Sequence, residues 1–135
     1  MAAIAGTVQA VELVRGPDDA YGAEVATGTM YSAALSIWNN TSSTVTGGSD
    51  TLDVNAATAI QNTRRDGKTV TIRSAAVIGA AVVGSTTYTG SVSIASAPTI
   101  KITPLDNAWG GTPVLPANTT ETKRYYRVIV GYTVA

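Results

Sequence analysis

The sequence predicts a single, mainly β domain, an antiparallel sandwich or barrel-like fold of about seven or eight strands with one short helix. Three observations support this fold class. Short stretches of alternating apolar and polar residues recur along the chain. Residues typical of turns, namely Gly, Pro, Asn and Asp, separate these stretches. The length of 135 residues suits one domain with one core.

Alternation defines most of the predicted strands. In the clearest example, Tyr31, Ala33, Leu35 and Ile37 fall on one side of a period-two ladder. In chain order, the predicted strands cover residues 4–14, 29–38, 41–46, 68–73 with an extension to 83, 88–94, 99–103 and 125–134. The last of these carries large side chains on both faces, which predicts a strand that is central in a sheet or covered by another subunit.

One segment favours a helix. Residues 53–62 combine a capping residue, Asp53, with Ala-rich helix formers, and Asp66-Gly67 provides a left-handed stop. We expect the small apolar residues and Ile60 to face the sheet. Arg64 and Arg65 should face water or a neighbouring molecule.

The whole chain, residues 1–135, is predicted to be one domain with two distinct parts. Residues 1–14 form either an N-terminal arm or a strand. Residues 104–122 show no periodicity and are predicted to form a long loop around Trp109.

The composition argues against an enzyme. The chain has no His and no Cys, the side chains that most readily carry protons near neutral pH, bind soft metals or act as thiol nucleophiles. Turns and a helix cap account for the carboxylates, although Asp53 and Asp106 could still converge as a glycosidase pair. We therefore predict no catalytic residues, no cofactor and no metal site.

The distribution of charged residues indicates which classes of partner the chain can bind. Nine basic and nine acidic residues give a formal net charge of zero, and the basic residues are too scattered to follow a phosphate backbone. No stretch approaches the length of a membrane span, and the first residues lack the pattern of a secretory signal. We expect neither nucleic acid nor a membrane as a direct partner.

Several side chains are candidates for contact with another protein. Trp109 is either a hydrophobic plug for its own loop or an aromatic anchor inserted into another subunit. Arg64 and Arg65 either stabilise a helix end or dock on an acidic surface. Arg124 and Arg127 are either edge-strand charges or partners in intersubunit ion pairs. The full candidate interface set is Ile4, Val8, Arg64, Arg65, Trp109, Val114, Leu115, Arg124 and Arg127.

The small, neutral, Thr/Ala/Gly/Val-rich chain, with its Thr51-Leu52-Asp53-Val54 entry to a short helix, its segment from Asp66 to Ile72 and its final Tyr-rich strand, resembles head decoration (cement) proteins of tailed bacteriophages. The resemblance implies trimers, or sometimes dimers, that clamp the outside of an icosahedral shell and brace it against internal DNA pressure. It also implies an N-terminal arm that reaches the coat protein. Here residues 1–14 depart from that pattern because they are strand-like.

The sequence thus predicts a non-enzymatic virion structural protein on the capsid surface, made in the host cytoplasm. Its expected partners are further copies of itself, with a trimer favoured, and the lattice of the major capsid protein. The alternative is a receptor- or glycan-binding domain of a fibre or adhesin, in which Trp38 and Trp109 stack on a sugar and nearby polar groups bind it. Those groups are Asn39, Asn40, Asp106 and Asn107. Another tail or neck component is equally compatible with the sequence.

Overall fold

Strands dominate the part of the chain that the computed structural model describes, residues 2–14, 30–83, 86–96, 99–105, 114–116 and 122–135. These residues form twelve strands and one helix. The strands are β1 (Ala2–Ala5), β2 (Thr7–Val14), β3 (Tyr31–Trp38), β4 (Val45–Thr46), β5 (Asp50–Asn55), β6 (Val70–Gly79), β7 (Ala81–Val83), β8 (Thr86–Ser96), β9 (Thr99–Leu105), β10 (Val114–Leu115), β11 (Thr122–Arg124) and β12 (Tyr126–Val134), and the helix is α1 (Ala56–Arg64).

The strands form two main sheets. A six-stranded sheet has the order β1-β5-β9-β8-β7-β11, a four-stranded sheet has the order β2-β3-β12-β6, and β10 pairs with β4 alone. All pairs are antiparallel except β1 with β5, which is parallel. The sandwich-like fold class predicted from the sequence is confirmed. The number of strands is higher than predicted because several are only two to four residues long.

The core lies between the two main sheets. Alternate residues of β12 point inward, so that Tyr126, Val128, Val130 and Tyr132 are all buried. The same apolar cluster includes inward residues of seven further strands and three residues of α1: Tyr31, Ala33, Leu35, Ile37, Val45, Leu52, Val54, Ala56, Ala57, Ile60, Val70, Ile72, Ala81, Ile100, Ile102 and Leu115. The prediction that the last strand is central is confirmed, because β12 pairs with both β3 and β6.

The helix begins later than predicted. Residues 50–55 form strand β5, and its Leu52 and Val54 pair with Ile102 and Ile100 of β9. This pairing and the burial of the two side chains outweigh the local capping signal of Asp53. The cap is instead Asn55, whose Oδ1 accepts a hydrogen bond from the backbone N–H of Thr58 at 3.0 Å.

The helix also ends slightly earlier than the predicted stop at Asp66-Gly67. Arg65 adopts the left-handed conformation with φ of 56°, and its N–H donates to the carbonyl of Gln61 at 3.0 Å. Gly67 is left-handed too, with φ of 72°, and serves the turn that follows. The position of the chain reversal was therefore predicted to within two residues.

Two predicted strands differ from those in the structure. The extension of the 68–73 strand to residue 83 is interrupted at Ala80, where the chain leaves the four-stranded sheet as β6 and joins the six-stranded sheet as β7. In the predicted 41–46 strand only Val45–Thr46 is extended. Asn39 accepts and donates hydrogen bonds within residues 39–43, and these bonds hold that segment as a turn.

The N-terminal residues join the two sheets. β1 lies at one edge of the six-stranded sheet and β2 at one edge of the four-stranded sheet, so the chain crosses between them at Gly6. The Gly6 N–H donates to the carbonyl of Asp53 at 2.7 Å. A Cβ atom at Gly6 would lie only 2.8 Å from Cγ2 of Val54, which explains why glycine occupies the crossing.

Part of the predicted 104–122 loop is also paired. Pro104 and Leu105 complete β9, Val114–Leu115 form β10, and Thr122–Arg124 form β11. The rest of that segment, including Trp109, lies outside the described residues. Among the helices of the described ranges, none combines the length and apolar character needed to cross a membrane.

Candidate functional site

The most distinctive surface in the described residues is the side of the four-stranded sheet that faces away from the core. Because successive strand residues point to opposite sides, the neighbours of the buried core residues point outward. We call this surface the outer face. It consists of Ala10, Glu12, Val14, Met30, Ser32, Ala34, Ser36, Thr71, Arg73, Ser74, Ala76, Ile78, Arg127, Ile129, Gly131 and Thr133.

Three large apolar side chains are exposed on the outer face. Val14 is 41% exposed, Met30 46% and Ile78 58%. They are half of the large hydrophobic side chains that are exposed in the described part of the chain. Val14 and Met30 lie at one end of the outer face and Ile78 at the opposite corner, so the face offers a partner separate apolar contacts rather than one continuous patch.

Small residues keep the middle of the outer face low. Gly131 leaves no room for a side chain, since a Cβ there would lie 2.5 Å from Oγ of Ser74 and 3.2 Å from Sδ of Met30. Ala34 and Ser36, on the neighbouring strand, are buried although they point away from the core. Side chains of the same chain, among them Met30 over Gly131 and Arg127 beside Ser36, already fill the space above these small residues.

Arg127 connects three strands across one end of the outer face. Its Nη1 donates to Oγ of Ser36 at 3.1 Å, and its Nη2 lies 3.5 Å from Oε2 of Glu12. Because β12 is central, Arg127 is not the edge-strand charge that one of the two sequence interpretations assumed. On the β6 side, Nε of Arg73 donates to Oγ1 of Thr133 at 3.1 Å.

Arg64 is held inside its own domain. Its guanidinium donates to Oδ2 of Asp66 from Nε at 3.0 Å and from Nη2 at 2.7 Å, and its Nη1 donates to the hydroxyl of Tyr132 at 3.1 Å. The group also lies 5.0 Å from the ring centre of Tyr31, which stacks on the ring of Tyr132 at 5.6 Å. The Arg64 side chain is only 17% exposed, and its hydrogen bonds to Asp66 and Tyr132 hold the guanidinium against the end of the helix.

The electrostatics of this helix end favour the ion pair. Partial burial works against the charged form of Asp66, but hydrogen bonds from Arg64 and from the backbone N–H of Lys68 outweigh it and lower the pKa of Asp66. Burial likewise opposes the charge of Arg64, yet its bonds to Asp66 and Tyr132 raise the pKa of the guanidinium. Arg65, by contrast, is exposed, and its Nε reaches the carbonyl of Asn62 at 3.4 Å.

The other predicted interface residues are spread over the molecule. Ile4 and Val8 are half-buried and pack against the core, and Leu115 is buried. Val114 is 41% exposed on β10. Arg124 belongs to β11, an edge strand of the six-stranded sheet, and Trp109 lies outside the described residues. Of the candidate residues that the structure describes, only Arg127 lies on the outer face.

Sequence reasoning missed the outer face as a unit. One sequence feature pointed to the outer face. In β3, Ser32, Ala34 and Ser36 alternate with core residues, whereas a strand face in contact with water usually carries longer polar side chains. This pattern in one strand does not identify a surface unless the neighbouring strands are known. Only the pairing of β2, β3, β12 and β6 shows that small residues on separate strands adjoin.

Asn39, one of the polar residues that the glycan-binding interpretation placed near Trp38, has other partners. The buried Asn39 side chain donates to the carbonyls of Ser43 at 2.8 Å and Pro116 at 3.0 Å. Its Oδ1 accepts from the N–H and hydroxyl of Thr41 at 3.1 and 2.7 Å. The indole of Trp38 packs edge-on against Tyr125 with ring centres 5.5 Å apart. Asp106, Asn107 and Trp109 lie outside the described residues, and Asn40 is exposed.

The carboxylate considered for catalysis is engaged as well. Asp53 accepts from Nζ of Lys101 at 2.5 Å and from Oγ1 of Thr51 at 2.6 Å, across the outward side of β5 and β9. Its hypothetical partner, Asp106, falls outside the described ranges. Within those ranges no three acidic side chains cluster closely enough to hold a metal ion.

Comparison of the chain with protein-family models, with curated proteins and with solved structures found no match.

Proposed function

We propose that this chain is a non-enzymatic virion structural protein, a capsid decoration protein that associates with further copies of itself and with the coat lattice. The observation that carries the proposal is the outer face, on which the apolar side chains of Val14, Met30 and Ile78 are exposed. Such a face serves contact rather than chemistry. The resemblance noted in the sequence adds the capsid surface as the place of contact.

The physical properties of the outer face suit a lattice protein. Burying one of its exposed apolar side chains contributes about 1 kcal/mol, since each is already half covered. One such contact binds weakly. Repeated over many symmetry-related positions on a shell, weak contacts add by avidity to a stable coat.

Other exposed residues remain available for the coat protein. Arg65 at the helix end and Val114 on β10 lie away from the outer face, on separate elements of the fold. This arrangement supports a division in which one surface contacts another copy and a different surface contacts the shell. The resemblance favours a trimer for the first contact.

The proposal is tested by mixing the purified chain with empty capsids of the virus whose genome encodes it and sedimenting the particles. We expect saturable binding in hundreds of copies per particle and a rise in the temperature at which the capsids break open. Capsids of an unrelated virus serve as the control and should bind none. Absence of saturable binding at about 10 μM protein, a concentration at which weak specific contacts of roughly 7 kcal/mol are populated, would contradict the proposal.

A further inference from the structure

We infer that Asp66 is a site of spontaneous isoaspartate formation in the folded chain and that Arg64 slows this reaction. The reaction joins the side chain of Asp66 to the backbone nitrogen of Gly67 and needs no enzyme. It is independent of the decoration role proposed above, because it concerns the covalent structure of this chain alone.

The sequence contains a single position at which this chemistry is favoured. Asp66 is followed by Gly67, and no other Asp or Asn in the 135 residues precedes a glycine. Glycine has no Cβ to shield its nitrogen, and its backbone reaches conformations that other residues rarely adopt. An aspartate side chain therefore approaches the next backbone nitrogen most easily when the next residue is glycine.

The turn that holds these two residues is open to water. Both residues are exposed, and the side chain of Asp66 is 31% exposed. Gly67 has φ of 72°, and a Cβ built there would meet no atom within 4 Å. Among the described residues, the N–H of Gly67 donates a hydrogen bond to no other group. The attacking nitrogen is thus unblocked, and water can reach the product of its attack.

The reaction balances with water as its only other reactant. The Gly67 nitrogen bonds to Cγ of Asp66, while the carboxyl group loses its hydroxyl and the amide loses its proton, and these two leave as one water molecule. The product is a five-membered succinimide ring. Water then cleaves one of the two ring C–N bonds. Cleavage at Cγ restores aspartate, and cleavage at the main-chain carbonyl carbon leaves isoaspartate, in which the backbone runs through Cβ and Cγ.

Arg64 opposes the first step. Ring closure needs the protonated carboxyl group, since an ionised carboxylate has no hydroxyl to lose. Nε and Nη2 of Arg64 donate to Oδ2 of Asp66 at 3.0 and 2.7 Å, and the N–H of Lys68 donates to Oδ1 at 3.1 Å. Although partial burial opposes the charge, these bonds lower the pKa of Asp66 and so reduce its protonated fraction. They also hold both oxygens in place, which hinders rotation of Cγ toward the nitrogen.

Arg64 is itself fixed, and this makes its protection effective. Its Nη1 donates to the hydroxyl of Tyr132 at 3.1 Å, its guanidinium lies 5.0 Å from the ring centre of Tyr31, and its side chain is only 17% exposed. A freely rotating surface arginine loses conformational entropy whenever it pairs with a carboxylate. Arg64 loses less, because the two tyrosines already restrict it.

Isoaspartate does not fit the connection between α1 and β6 as well as aspartate does. The connection is fixed on both sides: the N–H of Arg65 donates to the carbonyl of Gln61 at 3.0 Å, and Thr69 exchanges two backbone hydrogen bonds with Ala135 at 3.1 and 3.0 Å. Isoaspartate adds one carbon to the backbone and removes one from the side chain. The carboxylate therefore moves away from Arg64, and we expect the modified chain to be less stable than the unmodified one.

Ageing of the purified, folded chain tests the inference. Samples are kept for several weeks at physiological temperature and neutral pH. Isoaspartate is measured with an isoaspartyl methyltransferase and a radioactive methyl donor, and is located by peptide mapping. We expect it at Asp66 in the wild type, and roughly two- to fivefold faster in Arg64→Gln, which corresponds to the loss of an ion pair of about 0.5–1 kcal/mol.

Three control variants isolate the cause. Arg65→Gln makes the same change at the neighbouring, exposed arginine and should age like the wild type. Asn55→Ala weakens the start of the same helix without touching Asp66, so it should not speed the reaction unless helix fraying is the cause. Asp66→Glu keeps a carboxylate but cannot close a five-membered ring, so the isoaspartate signal should disappear. Circular dichroism of every sample shows whether it is still folded.

Several results would overturn the inference. Equal rates in the wild type and Arg64→Gln would exclude protection by Arg64, and so would equal acceleration by Arg64→Gln and by either Arg65→Gln or Asn55→Ala. Absence of isoaspartate at Asp66 from the wild type and from Arg64→Gln alike would exclude the site. A signal that persists in Asp66→Glu would place the reaction elsewhere in the chain.

Discussion

Asn39 is a single buried side chain that determines the path of a loop. Its amide and its Oδ1 form hydrogen bonds with Thr41, Ser43 and Pro116, and thereby join the 39–43 turn to a segment far away in sequence. The sequence showed only a pair of Asn residues at a strand end. Which of the two is buried depends on the distant carbonyl of Pro116, and that contact cannot be deduced from local sequence.

We predict that Asn39→Ala lowers the free energy of unfolding by about 1–3 kcal/mol, because it leaves partly buried carbonyl and N–H groups without partners. Urea denaturation monitored by fluorescence measures this loss. Asn40→Ala is the matched control, since Asn40 is exposed and its replacement should change stability by less than about 0.5 kcal/mol. Similar losses for the two variants would contradict the role assigned to Asn39.

The Arg64–Asp66 pair makes stability depend on acidic pH. The pKa of Asp66 is lower in the folded chain than its unfolded value of about 3.9. The unfolded chain therefore takes up the proton first, and the contribution of the pair is complete above about pH 4 and is lost as the pH falls through the folded pKa. Both side chains are partly solvated, so the contribution is modest.

We predict that Asp66→Asn costs about 0.5 kcal/mol at neutral pH and progressively less as the pH falls below about 4. Urea denaturation of both proteins at a series of pH values gives the difference directly. Arg65→Gln serves as a control, because Arg65 is exposed and its replacement should give no such convergence at low pH. A wild-type advantage that persists unchanged at pH 2 would exclude the ion pair as its source.

At the scale of elements, periodicity was a reliable guide where a strand is long and has one buried face. β3, β8, β9 and β12 were each predicted near their observed positions because apolar residues recur at every second position in them. The start of α1 was misplaced because two tendencies compete in residues 50–55. Asp53 signals a cap locally, whereas Leu52 and Val54 gain more by pairing with β9. Non-local burial decides such a conflict.

The helix cap gives a prediction at this scale. Asn55→Ala should destabilise the protein by about 1 kcal/mol, because the N–H of Thr58 loses its acceptor. Asn55→Asp keeps an acceptor oxygen in place and should be close to wild type. Urea denaturation compares the three proteins. If Asp and Ala at this position were equally destabilising, the hydrogen bond would not be the cause.

At the scale of the whole molecule, the sequence predicted the fold class but not the topology. Composition and periodicity indicate strands that need two apolar layers, which is enough for a sandwich. They do not show that β12 lies between β3 and β6, or that β1 pairs in parallel with β5. The outer face depends on that order, so its residues could be named only from the structure.

The N-terminal residues provide a test of the topology. We predict that removing residues 1–5 leaves a folded protein, since only the four-residue edge strand β1 is lost. Removing residues 1–14 should abolish the cooperative urea transition, because β2 covers the core with Val8 and Val11. The shorter deletion is the control for the longer one. Full stability after the longer deletion would identify a detachable arm instead.

The central place of β12 also has a consequence for how the protein is made. A ribosome adds about 5–20 residues per second, and the N-terminal part of the chain emerges from it first. Strands β3 and β6 both pair with β12, which is absent until residues 126–134 have been synthesised. The four-stranded sheet must therefore form after translation has passed that point, and until then the inner residues of β3 are candidates for chaperone binding.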